Sequence, residues 1–277
     1  MKKYILMTSI AVSLMSCNRS ENDEAVTESV ILPTKILVES QGNSINFHYN
    51  GNKLSEIVGV YDSSNTSKIS FEYSNNLISK IVENSGSNPT TTTFEYSNGK
   101  LIKTEKTETE VESTGTPLSS IKTTTIYTYN SDGTITANKT RVTTNSQHGT
   151  SYTNNTSYTY TLTNGQVSKY TETHNYEYFE ETITGTVYYD DKNGAFKNVV
   201  GFKEAALGLK DLIGDVFSAT QNNYTSIVSL NNISKEATKT TYKNSYNSSG
   251  YPTQITTTYT YTGNNVYSYT YNIIYNK

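Results

Sequence analysis

Thr93-Phe94-Glu95-Tyr96-Ser97-Asn98-Gly99-Lys100-Leu101 is the stretch that decides the fold. Phe94 and Tyr96 alternate with Thr93, Glu95 and Ser97, the period-two pattern of a strand with one apolar and one wet face. Asn98-Gly99 supplies the positive φ of a tight hairpin turn, and Leu101 begins the return strand. The same phrase recurs along the chain. Ile45-Asn46-Phe47-His48-Tyr49 leads into Asn50-Gly51, and Ile69-Ser70-Phe71-Glu72-Tyr73 leads into Ser74-Asn75. Later copies centre on Tyr127-Thr128-Tyr129, Tyr158-Thr159-Tyr160, Val187-Tyr188-Tyr189 and Tyr246. Their anchor tyrosines, 49, 73, 96, 129, 160 and 189, stand 23 to 33 residues apart, and 246 follows after one long gap. Near the end of the chain Tyr267, Tyr269, Tyr271, Ile273 and Tyr275 fall on one strand face. The reading is all-β: a long antiparallel meander of repeated β-hairpins.

Composition agrees. Of 277 residues, 45 are Thr, 31 Asn and 25 Tyr, with no Trp and four Pro. Thr and Tyr prefer pleated strands, which excludes a helix bundle. Charged residues are only 17% and the net charge is -3, so the basic excess of a nucleic-acid binder is missing. One Cys excludes a disulfide framework and a cysteine-cluster metal site. Thr-rich runs such as 90–93 and 123–125 suit a solvated sheet face.

One segment breaks the pattern. Phe202, Ala205, Ala206, Leu209, Ile213, Val216 and Phe217 recur at helical spacing, with Lys203, Glu204, Lys210, Asp211 and Asp215 between them. One or two short helices are expected at about 199–219, covering part of the sheet's apolar face. Gly208 and Gly214 weaken that pattern.

The N-terminus reads as an address. Lys2 and Lys3 precede an apolar run, Tyr4 to Met15, too short to cross a bilayer as a helix. Leu14-Met15-Ser16-Cys17 resembles a bacterial lipobox, with the sole cysteine of the chain in place. The resemblance implies a lipoprotein signal peptide at 1–16, thioether lipidation of Cys17, cleavage before it and acylation of the new amine. Two or three acyl chains, at ~0.8 kcal/mol per buried CH₂, hold a protein on a membrane almost permanently. An ordinary secretory signal with a chance Cys is the alternative. Removing residues 1–16 takes away Lys2 and Lys3 and lowers the net charge from -3 to -5. Residues 17–33 then read as a flexible acidic tether, and 34–277 as a single repeat domain. Acidic residues just after the Cys also resemble the export signal of surface-exposed lipoproteins. A plain tether facing the periplasm remains the other reading.

The hairpin units resemble the tyrosine-aspartate (YD, Rhs-type) repeat. The whole arrangement resembles an uncharacterised family of Gram-negative lipoproteins with Tyr-rich hairpins, over about residues 34–277. The residues that carry this are Tyr189-Asp190-Asp191-Lys192-Asn193-Gly194-Ala195-Phe196-Lys197-Asn198 and Gly250-Tyr251-Pro252-Thr253. Gly194-Ala195 replaces the more usual Asn-Pro, which loosens that turn. The resemblance supplies no catalytic residues.

Chemistry is sparse. His48, His148 and His174 show no ligand spacing, and no nucleophile elbow, P-loop or dinucleotide fingerprint is present. Asp190 and Asp191 are the one adjacent Asp pair, but strand neighbours point to opposite faces. Lys192 falls where a calcium loop wants its second ligand, so turn capping is the stronger expectation. Glu105, Glu108, Glu110, Glu112 and Glu180-Glu181 read as a solvated edge with gatekeeping charges. The tyrosines read as structural stacking, with binding of sugars or proteins left open.

The sequence therefore predicts a lipid-anchored, non-enzymatic protein of the outer membrane, surface-exposed, acting as scaffold or binding surface. A surface glycan-binding lipoprotein of a nutrient-uptake system is the alternative. Its one assigned partner is outer-membrane lipid, through Cys17. No catalytic residue, metal site or cofactor is assigned, and the protein or glycan partner is left unidentified.

Overall fold

A computed structural model describes residues 30–39, 42–61, 66–84, 89–111, 117–176, 178–213, 220–261 and 266–277. The lipobox with Cys17, and the tether up to residue 29, lie outside the described residues. The strands are β1 (Pro33–Val38), β2 (Asn43–Asn50), β3 (Lys53–Val60), β4 (Thr66–Ser74), β5 (Leu77–Asn84), β6 (Thr90–Ser97), β7 (Lys100–Val111) and β8 (Pro117–Tyr129). They continue as β9 (Thr134–Asn145), β10 (Ser151–Thr163), β11 (Gln166–Asn175), β12 (Glu180–Tyr189), β13 (Tyr224–Asn231), β14 (Ala237–Tyr246), β15 (Pro252–Thr260) and β16 (Val266–Tyr275). One helix, α1 (Phe202–Ile213), interrupts the series between β12 and β13.

Every strand pairs antiparallel with its sequence neighbour, and β1 pairs with β16, so the meander closes into a 16-stranded barrel. The seam sets Ile36 opposite Ile273 and Val38 opposite Tyr271. Closure overturns the expectation of a charged sheet edge at Glu105–Glu112 and Glu180-Glu181, because a barrel has no edge. Glu105 instead faces out and pairs with Lys122 at 2.9 Å, while Glu108 pairs with Lys106 at 3.0 Å on the luminal side. Glu181 accepts a hydrogen bond from Asn231 Nδ2 at 2.6 Å. Glu112 lies outside the described residues.

The tyrosine phrase explains the local geometry. In the hairpins β2–β3, β4–β5 and β6–β7, the pairing register slips by one residue just before Tyr49, Tyr73 and Tyr96. Such a bulge bends the strand and raises its twist. It sets each tyrosine opposite Leu54, Ile78 or Leu101, which are 0%, 0% and 1% exposed. Several tyrosines also stitch strands together. The Tyr49 hydroxyl donates to Pro33 O at 2.8 Å, Tyr189 to Val167 O at 3.0 Å, and Tyr275 to Pro252 O at 2.8 Å. Each reaches from the end of one strand to the start of the strand before it. Of the seven anchors only Tyr160 is fully buried; Tyr49, Tyr73, Tyr96, Tyr189 and Tyr246 are half-buried, and Tyr129 is 36% exposed.

The insertion after β12 crosses the turn end of the barrel and enters it. Asp190 begins it and Asn223 ends it. Asp190 accepts hydrogen bonds from the backbone N–H of Lys192 and Asn223, at 3.0 and 3.1 Å, and from the Tyr246 hydroxyl. Turn capping is thus what Asp190 does. Asn193 Nδ2 donates to Ser249 O, and Asn198 Nδ2 to Ile31 O and to the Tyr251 hydroxyl. Val200 N–H reaches Asn52 O. Gly201 then turns with φ +81° against the β4–β5 hairpin, where a Cβ would lie 3.0 Å from Asn76 O.

Helix α1 fulfils the expectation at about 199–219, although residues 214–219 lie outside the described residues. It packs on β5 and β7. Phe202 stacks on Phe196 and faces Phe71, while Phe196 meets Phe47 edge-on. Gly208 allows this close approach, since a Cβ there would lie 2.8 Å from Phe94 and 2.9 Å from Thr104. The core gathers inward side chains from around the barrel at this end, including Ile36, Phe71, Phe94, Ile135, Tyr242 and Ile273. The helix therefore covers the apolar sheet face from inside the lumen.

Candidate binding cleft beside the luminal helix

Helix α1 does not fill the lumen. Phe202, Ala205, Gly208 and Leu209 are buried against one wall. Lys203, Ala206, Leu207 and Lys210, spaced three to four residues apart, form a second stripe that faces away from that wall. Between this stripe and the opposite wall lies a cavity of about 310 Å³. Ile135, Leu162, Val167, Val187 and Ile227 line it, together with Tyr129, Tyr160, Tyr189 and Tyr224. Its rim is made by the hairpin-turn residues Gly99, Lys100, Gly165 and Gln166, so it opens at the turn end.

Three lysines and one carboxylate stand around it: Lys100, Lys203, Lys210 and Glu204. The Lys100 ammonium lies 4.8 Å from the Tyr129 ring centroid, and Lys210 4.8 Å from that of Tyr170. Such contacts hold a cation over an aromatic face without neutralising it. Tyr170 itself covers Gly185 on the neighbouring strand; a Cβ there would overlap its ring.

Beyond the helix the lumen changes character. Thr92, Thr104, Thr123 and Thr125 surround a second cavity of about 310 Å³ with Lys106, Glu108, Lys139 and Arg141. Glu83 also faces Lys106, at 4.0 Å, and burial pushes its carboxyl above the ordinary range. Further round the wall, Glu172 accepts from the Tyr158 hydroxyl at 3.0 Å and lies 3.1 Å from His174 Nε2. His174 is thus luminal, whereas His48 is exposed on the outer face as its strand pattern predicts. Tyr259, Tyr261, Tyr267, Tyr269 and Tyr271 line an open hollow at the loop end. Their rings meet edge-on, at 74° in both the Tyr259–Tyr269 and Tyr261–Tyr267 pairs, and so do not form a coplanar sugar platform. Among the described residues no three His, Cys, Asp or Glu converge to hold a metal ion.

The outer face of the wall is wet. Glu72 sits opposite Lys80 and Glu95 opposite Lys103, each pair closing at 2.8 Å, and Glu56 pairs with Lys68. Elsewhere the outward positions are mainly Thr, Ser and Asn, as in Thr256, Thr258 and Ser268. Exposed apolar residues interrupt this face at Ile126, at Leu37 and Ile274 beside the seam, and at Val228 and Leu230 on β13. A membrane-spanning barrel needs an outward apolar band about 25 Å tall, and Lys at its midplane costs roughly 2–4 kcal/mol. The wall described here has the opposite polarity.

The cleft was not among the sites read from sequence. Leu207, apolar between Lys203 and Lys210, is the signal that marks it, because it lies off the helix's buried arc. The other half of the cleft comes from strands and turns up to about 110 residues away, whose inward residues look like ordinary core.

No protein-family model matches the chain, and no curated protein matches it. Solved structures resemble it, two porin-like proteins among them. One is a porin-like protein from Bacteroides vulgatus, with a TM-score of 0.58 and 12% identity, covering 89% of this chain and 99% of that one. The other is a porin-like protein from Bacteroides uniformis, with a TM-score of 0.47 and 14% identity, covering 88% and 96%. What the chain shares with the first is the barrel fold. Within that fold, the cleft and the polar wall are read from this chain's own residues.

Proposed function

We propose that this is a non-enzymatic lipoprotein of the outer membrane whose barrel stands in water as a ligand-holding chamber. The acylated Cys17 anchors it, and the tether leads to Val30 at the turn end of the barrel. The observation that carries the reading is the polarity of the wall: ion pairs and hydroxyls outside, core and cavities inside. The porin-like barrel structures support an envelope location, and the lipobox supports a lipid anchor for a wall that has no lipid-facing band. Glycan binding at the loop end is the second reading, favoured by the five clustered tyrosines there and opposed by their edge-on packing.

A protease site placed within residues 20–28 tests this in intact membranes. Cleavage should release the folded barrel into the aqueous phase without detergent. A cleaved barrel that stays in the membrane after carbonate washing would mean that its strands span the bilayer. In parallel, Cys17→Ala should abolish incorporation of labelled palmitate; label still entering the variant would sink the anchor.

A further inference from the structure

We infer that the cleft beside α1 binds a single-chain amphiphile with an anionic head, a carboxylate or a phosphate. The inference rests on reading the barrel as a chamber, and not on the lipid anchor. It deepens that reading by naming the ligand class and the residues that take each part of it.

The lining divides the ligand in two. Much of the lining is aliphatic: Leu162, Val167, Val187 and Ile227 from the barrel, Ala206 and Leu207 from the helix, together with the rings of Tyr160, Tyr189 and Tyr224. A cavity with such a lining is where an acyl chain gains most by leaving water. The volume of about 310 Å³ holds roughly ten heavy atoms at a liquid-like ~30 Å³ each. That suits a medium-length chain or the first part of a long one.

The mouth selects the head. There Lys100 from the β6–β7 turn and Lys203 from the first turn of α1 outnumber Glu204, which leaves a net charge near +1, and Lys210, two helical turns further in, adds another cation. Lys100 and Lys210 rest over aromatic rings, so their stems are held while the ammonium groups keep hydrogen-bonding capacity. A cation would meet three like charges; a neutral sugar would leave the aliphatic floor unused. The Tyr129 hydroxyl adds a polar atom to the lining, while the Gln166 amide is paired with Asn222. The helix stripe is hard to explain as scaffold alone. Leu207 and Ala206 face a void where a structural helix would present polar residues or meet a wall.

The test uses the full chain carrying Cys17→Ala, purified without detergent, and isothermal titration calorimetry. Dodecanoate and dodecyl phosphate are the anionic probes, and 1-dodecanol, dodecyltrimethylammonium and maltotriose are the comparisons. One equivalent of at least one anionic probe should bind, more tightly than dodecanol, and neither the cation nor the sugar should compete. Comparing the two anions identifies the head. In the double variant Lys100→Gln, Lys203→Gln, anion binding should fall by about tenfold or more, as for lost charged hydrogen bonds, while dodecanol binding stays the same. Ala206→Phe fills the cleft and should abolish binding of every alkyl probe; Leu207→Gln, which keeps the volume, should weaken them all. Anion binding unchanged in Ala206→Phe and Leu207→Gln, or no binding of either anion by a chain that melts cooperatively, overturns the inference. A barrel that binds dodecanoate yet stays in the carbonate-washed membrane refutes the water-exposed wall and leaves the cleft standing.

Discussion

The turn end and the loop end of the lumen are built by the same strands and differ completely in what those strands point inward. Along β7 the inward side chains run Leu101, Thr104, Lys106 and Glu108; along β9 they run Ile135, Ala137, Lys139 and Arg141. Each strand passes from core to water within a few residues. The change falls beside Gly208, where α1 closes on Thr104. A 16-stranded barrel is too wide for its own side chains to fill. Aliphatic residues therefore gather mainly where the helix is available to bury them, and the rest of the lumen carries charges, hydroxyls and the loop-end tyrosines.

The largest test of this contrast is Leu209→Asp. Leu209 is 0% exposed between helix and wall, and an unpaired carboxylate there should cost about 4 kcal/mol or more. Tyr267→Asp, at a loop-end position 55% exposed, should cost under about 1 kcal/mol. Chemical denaturation of both variants measures the difference; equal effects would mean that the helix is not the core of the barrel.

A smaller test stays within the turn end and separates two tyrosines that the sequence treats alike. Tyr49→Phe removes the hydrogen bond to Pro33 O and should cost about 1 kcal/mol. The Tyr96 hydroxyl is buried without a partner, so Tyr96→Phe should cost nothing or stabilise. Melting temperatures that fall equally in both would show that Tyr96 has a bonding partner in solution.

The smallest effect belongs to the loop half. Burial raises the Glu83 carboxyl pKa, and Lys106 offsets this only in part. A group whose folded pKa is raised favours folding at low pH, and that contribution is lost as pH rises through the folded value. Glu83→Gln should match the parent near pH 4 and exceed it near pH 7, by less than about 1 kcal/mol at this partly solvated site. A constant difference between the two pH values would show that Glu83 does not titrate in a buried setting.

What the sequence makes legible follows from period and spacing. Asn98-Gly99 and Asn164-Gly165 mark hairpins, and both asparagines adopt positive φ. The alternating Tyr267 to Tyr275 run faces inward as one stripe. Closure is not legible, because the seam pairs Ile36 with Ile273, and no local pattern fixes a pairing over that distance. Nor is the polar lumen. Lys106, Glu108, Lys139 and Arg141 alternate with Glu105, Thr107, Asn138 and Thr140, which are also polar, so either face reads as solvent-facing. The cleft escapes for a related reason: a helix usually buries one arc, and here a second, mixed arc faces a cavity.

The seam has a consequence for how the chain comes to be folded. Fifteen of the sixteen strand pairings join neighbours along the chain, and all but β12–β13, which spans the helical insertion, are joined by short loops that close quickly. The last joins the two ends: Leu32 N–H binds the Asn276 side chain across 244 residues. β1 and β16 lie at opposite ends of the domain, so β1 holds an open hydrogen-bonding edge until β16 reaches it. Closure is then expected as the slow, late event, with a rate set by the sheet's curling and not by hairpin formation. Linking residue 277 to residue 30 and opening new ends in the β8–β9 turn turns the seam into an ordinary hairpin pairing. Refolding of that circular permutant should lose its slowest phase.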